Sequence, residues 1–138
     1  MSFSTPTEAT DVAIREGGCI CRKVRFRTRG EPKWVVWCHC ADCRRHTGAP
    51  ASAYASFNLD AIELTGGEIT KFASSPPSLR GFCGRCGSTL TGEADDMPGE
   101  VHFHIGAFDA PETLVPHGEA YSKERLPWTP PTGLVSVR

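Results

Sequence analysis

Cys83-Gly84-Arg85-Cys86-Gly87 is one of two short cysteine stretches on which the fold is expected to depend, and Cys19-Ile20-Cys21 is the other. Residues i and i+2 of a strand point to the same face, so Cys19 and Cys21 can present two sulfurs side by side. The Cys-x-x-Cys-Gly stretch predicts a tight turn that offers two more. Together these four cysteines, the cysteine quartet, supply the tetrahedral sulfur ligands of a structural zinc. Zinc binding would then contribute directly to folding.

The alternatives for the cysteine quartet are a redox dithiol and unrelated buried thiols. A Cys-x-Cys loop closes a disulfide only with strain. The Cys-x-x-Cys stretch lacks the parallel strand and following helix that accompany a redox dithiol. Spacing therefore favours zinc.

The stretch Cys38-His39-Cys40-Ala41-Asp42-Cys43 holds the other three cysteines of the seven, the cysteine trio. Three protein ligands with an open fourth position are typical of a catalytic zinc. The other interpretation is a closed site in which His46, three residues after the last cysteine, becomes the fourth ligand. His39 points away from the sulfurs if the chain is extended there. Arg44 and Arg45 could receive an acidic substrate, or they could simply be solvated.

Composition indicates a single soluble domain in a reducing compartment. The 138 residues carry a net charge of -1, and 22% of them are charged. The sequence shows no secretory signal and no apolar stretch of membrane-spanning length, which predicts a cytoplasmic protein without a membrane partner. The near-neutral charge argues against a nucleic-acid partner. We expect a loose N-terminal lead-in over residues 1–12 and one zinc-binding domain over residues 13–138.

Short strands joined by turns dominate the predicted secondary structure. Fourteen glycines and eleven prolines favour turns over long helices. Residues 24–29 alternate between apolar and basic side chains, as a half-buried strand does. Hairpins are predicted around Gly66-Gly67 and between residues 88–93 and 101–105, and one or two helical turns over 43–48. The prediction is an all-β fold.

The cysteine stretches and their neighbours together resemble the glutathione-dependent formaldehyde-activating enzyme and centromere protein V family. Three ordered blocks carry the resemblance: Gly17-Gly18-Cys19-x-Cys21 with Val24-Arg25-Phe26, then Cys38-His39-Cys40-x-x-Cys43-Arg44-Arg45-x-Thr47-Gly48-Ala49-Pro50, then Phe82-Cys83-x-x-Cys86-Gly87-Ser88-x-Leu90. The resemblance implies a β-tent fold of folded antiparallel sheets. In the pattern of that family, glycine is usual at the position that Arg22 occupies here.

The resemblance also implies two zinc ions per chain, one on the cysteine quartet and one on the cysteine trio. It favours an open trio site, where occupancy can be partial because three ligands hold a metal less firmly than four. The implied activity is that of a carbon–sulfur lyase acting on a thiol and an aldehyde, as in the condensation of glutathione with formaldehyde to S-hydroxymethylglutathione. In that case Arg44, Arg45 or His46 would steer the substrate or move a proton. The alternative is a non-catalytic zinc scaffold that binds a protein or nucleic acid through the basic residues of segment 22–29.

Overall fold

The computed structural model describes residues 12–138, so nearly all of the predicted lead-in lies outside the described residues. The described chain is built almost entirely from short strands. These are β1 Ile14–Gly18, β2 Arg25–Arg29, β3 Trp34–Cys38, β4 Ser52–Asn58, β5 Ile62–Gly66, β6 Thr70–Ser75, β7 Ser78–Phe82, β8 Thr89–Glu93, β9 Glu100–His104, β10 Gly118–Ala120 and β11 Val135–Ser136. One α-helix, α1, spans Ala41–Thr47, and single 3-10 turns occupy Leu59–Ala61, Ile105–Ala107, Pro111–Thr113 and Ser122–Glu124. The all-β prediction is confirmed.

Two sheets make up the fold of residues 12–138. The smaller has the order β1-β2-β5, and the larger has the order β11-β10-β3-β4-β9-β8-β7-β6. All pairings are antiparallel except those of β10, which runs parallel to β3 and to β11. The expected architecture of folded antiparallel sheets is thus confirmed, with β10 as a local exception. That the whole of 13–138 is one domain stays a prediction.

The core lies between the two sheets. Strand β2 alternates as predicted, with Phe26 and Thr28 buried and the arginines pointing outward. The ring of Phe26 stacks on Phe103 of β9 at 4.2 Å between centroids and meets Phe108 edge-on at 5.1 Å. Burial of these aromatic rings joins the small sheet to one face of the large one. The large sheet therefore has an apolar face that packs against the small sheet and an opposite face that does not contact it.

That opposite face carries polar and aromatic side chains in cross-strand register. Arg80 of β7 pairs with Gly92 of β8, which pairs with His102 of β9. A side chain at Gly92 would come within 2.6 Å of the His102 ring, so glycine is needed for this close approach. Tyr54 of β4 lies in the next row, opposite His104. Non-adjacent strands thereby bring Arg80 and Tyr54 to one surface.

One of the two predicted hairpins forms and the other does not. Strands β8 and β9 pair antiparallel with Thr91 opposite Phe103, as predicted. The hairpin at Gly66-Gly67 is wrong, because β5 pairs with β2 and β6 pairs with β7. Gly67 adopts a φ of +66° against the carbonyl of Lys23, where the chain crosses from the small sheet to the large one.

Candidate functional site

The cysteine quartet assembles where two turns meet. The Sγ atoms of Cys19 and Cys21 are 3.5 Å apart, and Cys21 Sγ is 3.8 Å from Cys83 Sγ. All four sulfurs, including that of Cys86, lie within 4.8 Å of one another. The expected strand geometry at Cys19-Ile20-Cys21 is wrong, because β1 ends at Gly18 and these residues form the turn into β2.

Backbone amides point at the quartet sulfurs. The N–H of Val24 donates to Cys19 Sγ at 3.2 Å, and the N–H of Arg85 donates to Cys83 Sγ at 3.4 Å. Ser88 links the two turns, since its Oγ accepts from the N–H of Ile20 at 2.9 Å and lies 3.2 Å from Cys86 Sγ. Such donors stabilise charged sulfur and orient it.

Arg22 closes the first of these turns in an unusual conformation. Its φ is +68°, in the left-handed region that side chains other than glycine rarely adopt, and its N–H donates to the carbonyl of Cys19 at 3.1 Å. The equivalent turn after Cys86 uses Gly87, with a φ of +81°. The position where the family pattern has glycine is therefore one where the backbone itself favours glycine.

The cysteine trio forms at the end of β3 and the start of α1. Cys43 Sγ lies 3.0 Å from Cys40 Sγ and 3.3 Å from Cys38 Sγ. Cys40 is also the N-cap of α1, because its sulfur accepts from the N–H of Cys43 at 3.3 Å. The helix ends at Gly48 in the left-handed conformation, as the sequence predicts.

The residues predicted to steer a substrate lie elsewhere on α1. Arg45 is exposed, and Arg44, Arg45 and His46 are absent from the residues that line the neighbouring cavity. The ring of His46 packs at 5.3 Å from the ring of His104 instead. Within residues 12–138, no further Cys, His, Asp or Glu joins the trio's three sulfurs within 4.8 Å.

The side chains of Tyr54 and Arg80 donate hydrogen bonds to a sulfur of the trio. The Tyr54 hydroxyl donates to Cys43 Sγ at 3.2 Å. Arg80 Nη1 donates both to Cys43 Sγ at 3.2 Å and to the Tyr54 oxygen at 3.0 Å, while its Nε donates to Ser74 Oγ at 3.2 Å. Arg80 was not indicated by the sequence, because it lies thirty-seven residues from Cys43 and belongs to no cysteine motif. Only the register of the large sheet brings it here.

The charges of this network support one another. Burial opposes the charge of Arg80, but its interactions with Cys43 and Tyr54 outweigh burial and raise the pKa of the guanidinium. Burial and the same sulfur raise the pKa of Tyr54, so its hydroxyl keeps its proton. Contacts with the thiols of Cys38 and Cys43 lower the pKa of Cys40. The trio thus contains sulfur that carries negative charge next to a permanent cation.

A buried hydrogen bond between a histidine and a carboxylate holds the trio segment on the side away from the cavity. His39 Nε2 lies 2.8 Å from Glu119 Oε1, and both side chains are buried. The N–H of His39 also donates to the carbonyl of Ala120 at 3.1 Å. The His39 side chain thus turns away from the sulfurs and ties the segment to β10. Glu119, like Arg80, has no local sequence signal.

A cavity of about 600 Å³ opens onto the trio. Its walls come from the polar face of the large sheet, from α1 and from the chain around β10. Residues of the network and of the sheet face that line it are Cys38, Cys40, Cys43, Tyr54, Arg80 and His102. Burial lowers the pKa of His102 to about 4, so its ring is neutral at pH 7. The volume is typical of a small-molecule site.

Both clusters have donor sets that fit a soft metal ion. With zinc–sulfur bonds of about 2.3 Å, neighbouring sulfurs of a tetrahedral site lie about 3.8 Å apart. The quartet distances of 3.5 and 3.8 Å approach this spacing, and the trio sulfurs lie somewhat closer together. Four sulfurs could complete a closed site, whereas three leave a position free. Two cysteine clusters that could hold metal ions are therefore present.

The segments that carry the two cysteine clusters also match a known protein family. The family model described as glutathione-dependent formaldehyde-activating enzyme matches residues 14–124, which include all seven cysteines. The chain belongs to this family. Within the family, it is 32% identical over 105 residues to a candidate glutathione-dependent formaldehyde-activating enzyme of Halomonas elongata, over 70% of this chain and 67% of that protein.

Another relative is an uncharacterised lyase of Schizosaccharomyces pombe, 31% identical over 75 residues. The match spans about half of each protein, 54% in both cases. A crystal structure of a Rhodobacter sphaeroides protein has the same fold, with a TM-score of 0.55 at 19% identity over 88% of this chain and 97% of that one. In the part of the present chain that the structure describes, no helix is long and apolar enough to cross a membrane.

Proposed function

We propose that the protein is a zinc-dependent enzyme of the carbon–sulfur lyase type, acting on a thiol and an aldehyde or on their adduct. The observation that carries the proposal is the cysteine trio, whose three sulfurs line a cavity of about 600 Å³. Among the described residues, no fourth cysteine, histidine or carboxylate has a ligand atom within 4.8 Å of these sulfurs. A closed site in which His46 is the ligand has less support, because that ring packs against His104. Family membership and the names of the two relatives support the same reaction class.

We propose that the cysteine quartet holds a structural zinc and that Cys38, Cys40 and Cys43 hold a second one. A zinc ion held by these three cysteines would supply Lewis-acid chemistry, which lowers the pKa of a thiol substrate. The protein is then a two-zinc protein, with occupancy weaker at the site that has three ligands.

The chain's own residues would orient the trio and hold the substrates beside it. Arg80 and the Tyr54 hydroxyl both donate to Cys43 Sγ, which fixes that sulfur and spreads its charge. The cavity walls would hold the thiol and the aldehyde together, so that proximity provides much of the rate. In the forward direction a C–S bond forms at the carbonyl carbon and the thiol proton ends on the carbonyl oxygen. In the reverse direction that bond breaks and the thiol and aldehyde are restored.

A binding scaffold is the weaker candidate. It requires a basic surface, and two of the arginines of β2 are already paired with carboxylates. Arg25 contacts Asp109 at 2.6 Å, and Arg27 contacts Glu16 at 2.8 Å. Such pairing removes much of the field that would attract nucleic acid.

Exchange spectroscopy by NMR tests the proposed reaction. A thiol and its hydroxymethyl adduct are mixed with formaldehyde, and the exchange rate is measured with the zinc-loaded protein, with the Cys40→Ser variant and without protein. We expect exchange to be faster only with the unmodified protein. Equal rates in all three samples, for glutathione and for other thiols, would contradict the proposed activity.

A further inference from the structure

The cavity beside the cysteine trio has an apolar wall. Large apolar and aromatic residues of this wall include Trp34, Val36, Met97, Tyr121 and Val137. They come from β3, from the turn before β9 and from the chain around β10 and β11. A wall of this kind gains free energy by covering hydrocarbon and offers nothing to a charged group.

The two arginines of the cavity lining are already engaged. Arg80 donates to the trio and to its neighbours on the sheet face, as described above. Arg138 forms an ion pair with Asp96, and its Nε donates to the hydroxyl of Tyr121 at 3.0 Å. A carboxylate entering the cavity would have to replace one of these partners.

The remaining acidic and basic groups of the lining are carboxylates and histidines, and the carboxylates carry negative charge. Asp42 accepts from the Ser75 hydroxyl, and Glu124 accepts from the N–H of Ala41 at 3.2 Å. Asp95 lies exposed at the rim. These three groups repel an anionic ligand.

The two histidines of the lining do not offset these carboxylates. Burial keeps the pKa of His102 at about 4, so its ring is neutral at pH 7. The Nε2 atom of His117 accepts from the N–H of Val35 at 3.0 Å, so this ring nitrogen is not free to donate to a ligand. The charge of the cavity therefore opposes an anionic ligand.

Glutathione is poorly matched to this lining. It carries two carboxylates and one ammonium group, and a carboxylate that enters the cavity would lose water without gaining a cation that is free among the described residues. Size does not exclude it, since a cavity of about 600 Å³ lies in the range that holds small organic ligands. Charge, and not size, is therefore the property by which this cavity discriminates against glutathione.

We infer that the thiol substrate of this chain is an apolar thiol without carboxylates, bound with its sulfur at the cysteine trio and its hydrocarbon part against the apolar wall of the cavity. The inference rests on the proposed function, because it takes the trio as the place where a thiol reacts. The reaction keeps the balance given above: the C–S bond forms at the aldehyde carbon, and the thiol proton passes to the carbonyl oxygen.

Two probes of opposite character test the inference, benzyl mercaptan and glutathione. Binding of each is followed by the visible spectrum of the full-length protein loaded with cobalt(II), a readout independent of activity. Exchange of each hydroxymethyl adduct is then followed by NMR with the zinc-loaded protein. We expect benzyl mercaptan to bind about tenfold more tightly than glutathione and to show the larger acceleration. Equal or tighter binding of glutathione would overturn the inference.

Failure of the inferred ligand class and failure of the proposed reaction give different results in these experiments. Tighter binding of benzyl mercaptan without acceleration of either exchange supports the ligand class and contradicts the proposed reaction. Faster exchange of the glutathione adduct than of the benzyl adduct supports the reaction and overturns the ligand class. Absence of a spectral change with either thiol contradicts both.

A charge reversal at the cavity rim sharpens the test. Asp95→Lys adds a cation at an exposed turn position, so glutathione should bind about three- to tenfold more tightly while benzyl mercaptan is unaffected. Asp60→Lys is the matched control, because Asp60 is also exposed but lies outside the cavity lining. The same gain for glutathione in both variants, or none in Asp95→Lys, would count against charge as the discriminating property.

Discussion

The cysteine quartet and the cysteine trio both present cysteine sulfurs, but they differ in how far apart their cysteines lie in the sequence. The quartet joins the turn between β1 and β2 to the turn between β7 and β8, which are far apart in the chain. The trio lies within six consecutive residues, at the junction of β3 and α1. A metal on distant ligands restrains the whole chain, whereas a metal on local ligands restrains little and is free to serve chemistry.

The hydrogen-bond donors around the two clusters differ in the same way: they are local at the quartet and, for Cys43 of the trio, distant in sequence. Quartet sulfurs accept hydrogen bonds from backbone N–H groups of their own turns. The trio sulfur of Cys43 accepts from two long-range side chains, Arg80 and Tyr54, at the edge of a cavity. We therefore expect the fold to depend on the quartet and the activity to depend on the trio.

The largest expected effect is a contrast between two cysteine variants. Cys83→Ser removes one of four ligands that join distant turns, so it should lower the free energy of unfolding by more than about 4 kcal/mol. Cys40→Ser should leave stability nearly unchanged, because serine keeps the N-cap of α1, yet it should abolish activity. Thermal unfolding and adduct exchange measure the two effects. Equal losses of stability in the two variants would break the comparison.

Arg80→Met should reduce activity about 10- to 100-fold, because it removes the donor that fixes Cys43 Sγ while an apolar stem is retained. Zinc affinity at the trio, measured by competition with a chelator, should fall as well. Arg85→Met, an exposed arginine beside the quartet, is the control and should leave activity intact. Equal activity in the two variants would show that Arg80 is not a positioning residue.

Ser88→Ala should lower the free energy of unfolding by about 1–2 kcal/mol with little change in activity, because Ser88 links the two turns of the quartet. Ser122→Ala removes only a hydrogen bond between exposed side chains, to Ser136, and should change stability by less than about 0.5 kcal/mol. Chemical denaturation compares them. A larger loss of stability in the control would contradict the assignment.

The smallest expected effect is a gain of stability in an Arg22 variant. Arg22→Gly relieves the left-handed backbone beside the quartet, and after the added flexibility of the unfolded chain is subtracted it should raise stability by about 0.5–1 kcal/mol. Lys23→Gly, next to it but without a positive φ, should instead lower stability. Chemical denaturation again provides the measurement. A loss of stability in both variants would mean that Arg22 is not strained.

Local patterns predicted the parts of the fold that depend on local physics. The alternation in residues 24–29 predicted β2, because burial of every second side chain is written in the sequence. Gly48 marked the end of α1, because the left-handed conformation favours glycine. Grouping of cysteines by spacing likewise matched the two clusters that assemble in space.

Features that depend on strand order could not be predicted in this way. The Gly66-Gly67 hairpin was wrong because β5 and β6 join different sheets, and no local signal distinguishes a hairpin from a crossing between sheets. Arg80 reaches Cys43 only because β8 and β9 place β7 near β4. The steering roles expected of Arg44 and Arg45 stay a prediction without support from the cavity lining.

Native mass spectrometry of the full-length protein tests the division into a closed and an open site most directly. We expect two zinc ions per chain, of which a mild chelator removes one, while the protein stays folded with the trio cysteines alone becoming open to alkylation. A single zinc ion at the outset, or loss of both ions together with alkylation of Cys83 and Cys86, would contradict the account.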